Sequence, residues 1–227
     1  KKQIYIMYTG PHVVQDGLIF AVDAGSTRSY PGSGTAVTNL AGTNNAALIN
    51  GVGYSASNGG TWVFDGADDQ LLINSGTAVE VNNFTITQWI NFPSSNEEMS
   101  IGGGLYTNTP VAEYRGYIWY RSPQGEIRVM VNNETGVVFS VAGSLYLNKW
   151  SQITATRSGG TYKLYIDGVQ VDVTRTGSEN LFCIRTIGWS YSNGYAFGGD
   201  IANTLIYNRC LDAAEVAQNY NGQESRF

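Results

Sequence analysis

The chain has 227 residues, of which 14% are charged, and it carries 28 glycines, 15 tyrosines and 5 tryptophans. That composition excludes a charged disordered tract and a coiled coil, and a formal net charge of −5 repels phosphate backbones, so nucleic acid is not an expected partner. No apolar run approaches the roughly 20 residues needed to cross a membrane as a helix, and because the sequence starts at Lys1, a signal peptide is not observable.

In chain order, Gln3 to Tyr8 is a short extended run that Thr9, Gly10 and Pro11 interrupt. Residues 1–10 therefore read as an N-terminal extended arm or linker, and residues 11–227 as one domain. The apolar run Gly17 to Ala24 includes Asp23 and leads into a long stretch, Gly25 to Gly60, rich in Gly, Ser, Thr and Asn. So long a loop in a compact domain suggests a functional or edge-covering segment, with room for a short strand at Ala46 to Asn50.

Strands are then predicted at Thr61 to Phe64, Gln70 to Asn74, Phe84 to Phe92, Gly116 to Arg121, Glu126 to Asn132 and Val137 to Ala142, each bounded by Gly, Pro, Asn or Ser. From Lys149 to Val173 the turns Ser158-Gly159-Gly160 and Asp167-Gly168 predict a three-stranded antiparallel meander. Within it Leu164 and Ile166 alternate with Lys163, Tyr165 and Asp167, as on a sheet with one face toward a core. Leu181 to Trp189 and Asp200 to Tyr207 bring the set to ten or so strands, enough for two packed antiparallel sheets.

One helix is predicted near the end. Asp212 stands at the N-cap with Glu215 three residues on, Leu211 and Val216 occupy the staple positions, and Asn221-Gly222 stops the helix.

Catalytic patterns are sparse. A retaining glycosidase needs two carboxylates about 5 Å apart, and no two acidic residues stand two apart on one strand. The lone His12 cannot build a histidine cluster, and Gly102-Gly103-Gly104 lacks the following helix of a phosphate loop, so it reads as a loop between strands. Acids supplied by separate strands remain open, with Glu113, Glu126 and Glu134 the first to examine.

Asp65, Asp68 and Asp69 lie close enough to suggest a calcium site, but Asp and Gly are also what a tight turn requires, and the turn is the preferred reading. Cys183 and Cys210 show no metal-ligand spacing and read as two small buried thiols in preference to a disulfide. Aromatic faces stack on sugar rings. The candidates for that role are Tyr117 and Trp119, in a cluster with Tyr114 and Tyr120, and Tyr191 and Tyr195, in a polar loop beside Trp189.

Three stretches together resemble a known family. They are Asp16 to Thr35 with Asn39-Leu-Ala-Gly42 and Phe64-Asp-Gly-Ala-Asp-Asp69; Lys149-Trp-Ser-Gln-Ile-Thr-Ala-Thr-Arg157 with Tyr165-Ile-Asp-Gly-Val169; and Gly199 to Leu211 with Glu215, Asn219-Tyr220 and Arg226-Phe227. This set is similar to the concanavalin A-like, laminin G-like jelly-roll domains found in virion proteins of tailed phages, especially marine ones. The resemblance implies an all-β, two-sheet antiparallel jelly-roll sandwich with one short C-terminal helix. It also implies a structural calcium ion between the two ends of the domain, with Asp23 and Asp200 at the positions that could supply it. The Glu-x-Asp-x-x-Glu strand of the glycosidase members is missing, so hydrolysis is not implied.

The expected function is that of a non-enzymatic virion surface protein, a capsid decoration or a tail or fibre module. Its expected partners are other virion proteins or copies of itself, and host surface glycans. The alternatives are a polysaccharide hydrolase or lyase on the same fold, and a cellular carbohydrate-binding adhesion module.

Overall fold

The structure is a computed structural model that describes residues 12–73, 79–92, 98–106, 113–121, 126–130, 137–141, 147–177, 181–189 and 195–227; at 98, 100, 104–106, 113–117, 119–121 and 130 the description is of the backbone alone. The expected arm, residues 1–10, lies outside the described residues.

Strands follow one another along almost the whole chain. They are β1 (Leu18–Asp23), β2 (Ala36–Val37), β3 (Ala46–Ile49), β4 (Gly53–Ser55), β5 (Thr61–Asp65), β6 (Gln70–Ile73), β7 (Val79–Val81), β8 (Phe84–Asn91) and β9 (Glu98–Tyr106). Then come β10 (Glu113–Arg121), β11 (Glu126–Met130), β12 (Val137–Ser140), β13 (Trp150–Ser158), β14 (Thr161–Ile166), β15 (Val169–Thr176), β16 (Phe182–Ile184), β17 (Thr186–Ile187) and β18 (Gly198–Tyr207). Helix α1 (Ala213–Asn221) and a short 3-10 turn at Glu224–Arg226 end the chain.

Two sheets of eight strands result. The first runs β15-β14-β13-β8-β18-β5-β4, with β1 also on β18, and the second runs β12-β11-β10-β9-β17-β6-β3-β2; β16 and β7 form a separate pair. One apolar core fills the space between them, with Phe20, Trp62, Phe84, Ile90 and Leu164 from the first sheet meeting Leu71, Ile101, Ile118, Ile127 and Phe139 from the second. The architecture is the antiparallel jelly-roll sandwich with one short C-terminal helix.

The meander is present as predicted, β13 to β14 to β15. Asp167 and Gly168 both have positive φ, 52° and 77°, as a tight hairpin between twisted strands requires. A Cβ on Gly168 would stand 3.1 Å from Tyr220 Cβ, so this turn also lies close against α1. The capping box is formed on both sides: Glu215 N–H donates to Asp212 Oδ1 at 2.9 Å, and Asp212 N–H donates to Glu215 Oε2 at 3.0 Å.

Four expectations need correction. The stretch Gly25 to Gly60 is not one long loop: besides the short strand expected at Ala46 to Asn50, which is β3, it contains β2 and β4, and Asn39 ties its middle to β1 by accepting the Ala21 N–H at 2.8 Å and donating to Ile19 O at 3.2 Å. Gly102 to Gly104 is not a loop but the middle of β9. There β17 passes so close that a Cβ on Gly102 would meet Thr186 O and Ile184 Cδ1, each at 3.1 Å. Leu181 to Trp189 is not one strand, since β16 pairs with β7 while β17 joins the second sheet. The meander does not have one core-facing side only: Tyr165 is as deeply buried as Leu164, because α1 covers the outer face of the first sheet.

Arg157, near the end of β13, points into the core and is fully buried. Its guanidinium donates to the carbonyls of Val81 and Asn82 and to Tyr162 Oη, and stands 5.0 Å over the Phe84 ring. A buried charge is tolerated where its donors are satisfied and aromatic faces surround it.

Candidate functional site

Cross-strand partners share a face of a sheet. The pairs Tyr207–Thr85, Leu205–Thr87 and Asn203–Trp89 between β18 and β8, and Asp23–Asn203 between β1 and β18, therefore place these side chains on the outer face of the first sheet. The chain's two ends meet there. β1 lies along the second half of β18 while β5 takes the first half.

One half of this face is sealed. Leu211 and Val216 of the helix region pack with Val14, Ala21, Tyr165, Leu205 and Tyr207 in a second, smaller core. Three of its polar groups match one another. Tyr207 Oη donates to Val14 O at 3.0 Å and accepts from Asn219 Nδ2 at 3.0 Å, and Asn219 Oδ1 accepts the Val14 N–H at 2.8 Å. Burial pushes the Tyr207 phenol up to about 12. At the helix start Arg209 grips both oxygens of Glu215, at 2.6 and 2.8 Å. That pairing holds the Glu215 carboxyl below its usual range.

Beyond the helix the last residues form a strap. Trp89 is stacked between Tyr220 and Phe227, with ring centroids 5.6 and 4.3 Å away, and Phe227 also lies 4.8 Å from Trp150. Gln223 Oε1 accepts from Trp89 Nε1 at 3.0 Å and from Gln152 Nε2 at 3.3 Å. Arg226 donates to Asp23 Oδ1 and to Asn58 O, each at 2.7 Å, and to Gly60 O. The Arg226-Phe227 ending thus locks the close of the chain onto its opening strand.

The other half of the face is open. A cavity of about 340 Å³ lies against β1 and β18, lined by Leu18, Asp23, Arg28, Leu40, Asn203 and Gln223 among others. A second, of about 360 Å³, lies beside the strap; it shares Val13, Asp23 and Gln223 with the first and adds His12 and Arg226. Asn203 is only 1% exposed, yet neither its Oδ1 nor its Nδ2 has a hydrogen-bond partner in the protein. A buried amide without partners is costly, about 1–3 kcal/mol for each unmet group.

Arg28 reaches this cavity from a built turn. Ser29 and Tyr30 N–H groups both donate to Ser26 O at 2.8 Å, and the buried Ser29 hydroxyl accepts the Asp23 N–H and donates to Thr38 O. The Leu40 wall is held in the same way, by its N–H to Ala21 O at 2.8 Å.

The positions expected to hold calcium lie on this face. Asp23 Oδ1 is engaged by Arg226 and, at 2.7 Å, by the Gly25 N–H, while Asp200 stands opposite Asn91 and Val63. Burial raises the Asp200 carboxyl, with a hydrogen bond from Asn91 opposing. A cation at Asp23 would have to displace a guanidinium that already supplies the positive charge, so this pair fits a calcium ion poorly.

The hairpin between β5 and β6 offers a different oxygen cluster: Asp65, Asp68 and Asp69 each place a carboxylate oxygen within 4.8 Å of the others. Asp69 is buried, and its Oδ2 accepts the Asp65 N–H at 3.0 Å. Asp65 Oδ1 accepts the Ala67 N–H at 2.8 Å. These are the bonds of a tight turn. Burial raises the Asp69 carboxyl, and the neighbouring Asp65 and Asp68 charges add to the rise.

Of the aromatic candidates, Tyr117 and Trp119 stand two residues apart on β10, opposite Met130 and Arg128 of β11; their side chains, and all of Tyr191, lie outside the described residues. Tyr195 is half-buried and precedes Ala196, which bridges to Trp189. Among the acids, Glu126 is paired with Arg128 at 3.0 Å, Glu113 lies on β10, and Glu134 is outside the described residues. Cys183 is buried and Cys210 half-buried, and the two are not joined in a disulfide. Sequence reasoning missed Asn203, Arg28 and Gln223; the one available signal was the polar pair Asn203-Thr204 inside the apolar run from Ile201 to Tyr207.

No helix among the described residues is long and apolar enough to cross a membrane. Solved structures with a similar fold include a Trypanosoma rangeli sialidase in complex with 2,3-difluorosialic acid, with a TM-score of 0.65 at 16% identity over 96% of this chain and 35% of that one. The same enzyme in complex with sialic acid gives 0.64 at 17% identity over 96% and 35%. The botulinum neurotoxin serotype D binding domain gives 0.65 at 18% identity over 92% of this chain and 52% of that one. The chain spans about a third of the sialidase and about half of the toxin domain, and the likeness is one of fold. A comparison with curated proteins finds no match. The sequence profile of the concanavalin A-like lectin/glucanases superfamily, in its laminin G-like form, matches residues 65–217, from the acidic hairpin into the closing helix, and the chain belongs to that superfamily.

Proposed function

We propose that this domain is a non-catalytic carbohydrate-binding module that takes its glycan on the open half of the outer face. The observation that carries this reading is the unpartnered amide of Asn203 beneath a cavity with apolar walls at Leu18 and Leu40 and polar groups at Asp23, Arg28 and Gln223. A cavity of about 340 Å³ is at the small end of the range of about 300–1,000 Å³ for small-molecule sites. An amide offers one donor side and one acceptor side, which matches a pair of neighbouring sugar hydroxyls. The superfamily's lectin members, and the glycan complexes among the structures of similar fold, add support.

The setting we propose is the surface of a tailed-phage particle, where the module contacts host glycans and neighbouring virion subunits. Its support is the sequence resemblance of three stretches: the opening one from Asp16, the one from Lys149 to Val169, and the closing one from Gly199. Subunit contact has its own observation: β15 is an edge strand, and Val169 and Val173 on it are 68% and 61% exposed.

A glycan array with the purified domain, run with calcium and with chelator, tests the reading. Binding that survives chelation and is lost in Asn203→Leu supports it. Binding abolished by chelator would place recognition at a metal instead. No binding in either condition overturns the glycan role in favour of a structural virion subunit.

A further inference from the structure

Resting on the carbohydrate-binding reading, we infer that the ligand of the open half is a sugar bearing a carboxylate, held by the Arg28 guanidinium at the mouth of the cavity with its hydroxyls toward Asn203. The argument is one of charge. Among the described residues Asp23 is the one carboxylate lining either cavity, and Arg226 neutralises it at 2.7 Å. Arg28 lines the cavity, is exposed, and has no ion pair or hydrogen bond among the described residues. Among the described residues the two adjoining cavities therefore hold two guanidiniums against one carboxylate, in a chain whose net charge is −5.

A locally positive pocket on a negative protein selects an anion against the field of the whole molecule. The remaining lining chooses among anions. Leu18 and Leu40 offer an apolar wall to a ring face, and Gln15 and Gln223 offer neutral amides. A planar fork of N–H donors is the side chain that recognises carboxylate in two-point fashion. The backbone turn that carries Arg28 is fixed by Ser26, Ser29 and Thr38, so capture orders only the Arg28 side chain.

The test is an NMR titration of the purified domain with glucuronate, galacturonate and mannuronate, each beside its uncharged methyl ester, with acetate as a bare carboxylate. At least one acid is expected to shift the backbone amide of Arg28 and the side-chain amide of Asn203, and to bind about tenfold more tightly than its ester. Arg28→Ala is expected to abolish that preference without changing the melting temperature, and Asn203→Leu to weaken acid and ester together.

Equal binding of acids and esters at this cavity overturns the inference and leaves the carbohydrate reading standing. Acetate binding as tightly as the acids also overturns it, as an adventitious ion only. If no acid, ester or neutral glycan perturbs the cavity, both readings fail.

Discussion

The two halves of one sheet face are finished in opposite ways. Under α1, Tyr207, Asn219 and the Val14 backbone satisfy one another, and Leu211 and Val216 exclude water. A few residues along the same strand, Asn203 is buried with both ends of its amide unmatched, beside a cavity. Folding gains from the first arrangement and loses by the second. Asn91 Oδ1, Gln152 Oε1 and Thr156 Oγ1 on this face are unmatched too, but Asn203 has both ends of its amide unmet and lines a cavity, which is what the proposed site rests on.

The comparison is broken most sharply in the sealed half. Val216→Asp puts an unpaired charge in the second core, and the expected loss is at least about 3 kcal/mol, read from urea unfolding midpoints. A loss under 1 kcal/mol would mean that the helix is not docked in solution. Tyr207→Phe is milder. It strips the hydrogen bond to Val14 O and the acceptor for Asn219, and costs about 2 kcal/mol by the same measurement.

The open half is expected to answer differently. Asn203→Leu removes a buried amide that has no protein partner, so stability changes by less than about 1 kcal/mol or rises, while ligand binding falls. A loss above 2 kcal/mol would show the amide to be structurally paired, and the contrast between the halves would disappear.

The smallest expected effect is a pH dependence. Burial holds the Asp200 carboxyl above its ordinary value, so the fold favours its protonated form. Its contribution to stability is then fully present below the ordinary carboxylate range and is lost as pH rises through the raised folded value. Chemical denaturation of the native chain and of Asp200→Asn across pH 4 to 7 should show the native chain losing ground to the variant as pH rises. A difference that is flat with pH removes Asp200 from the buried part of the face.

Much of the scaffold was legible in the residues. Ser158-Gly159-Gly160 and Asp167-Gly168 marked the meander, and Asp212 with Glu215 marked the helix start, because turn and cap chemistry act over two to four residues. The Gly102 to Gly104 strand was not legible, since glycine's usual meaning is a turn and its meaning here is a close passing strand, which only the neighbour supplies. The site was less legible still. Tyr117, Trp119, Tyr191 and Tyr195 stand out in the sequence as residue types suited to sugars, whereas the proposed site is built from Asn, Gln, Arg and Leu, types that carry no such signal.

The sequence by itself determined the class of fold, the meander, the capped helix and the low charge, because each follows from period, turn chemistry or composition. Tertiary structure alone decided that Asp23 meets Arg226, 203 residues away, that Val14 meets Asn219, 205 residues away, and that Asn203 is left unpaired between them. These contacts depend on the order in which distant strands pair. Local pattern does not encode that order, and the free energy of closing the two ends together is gained only once the whole sandwich has formed.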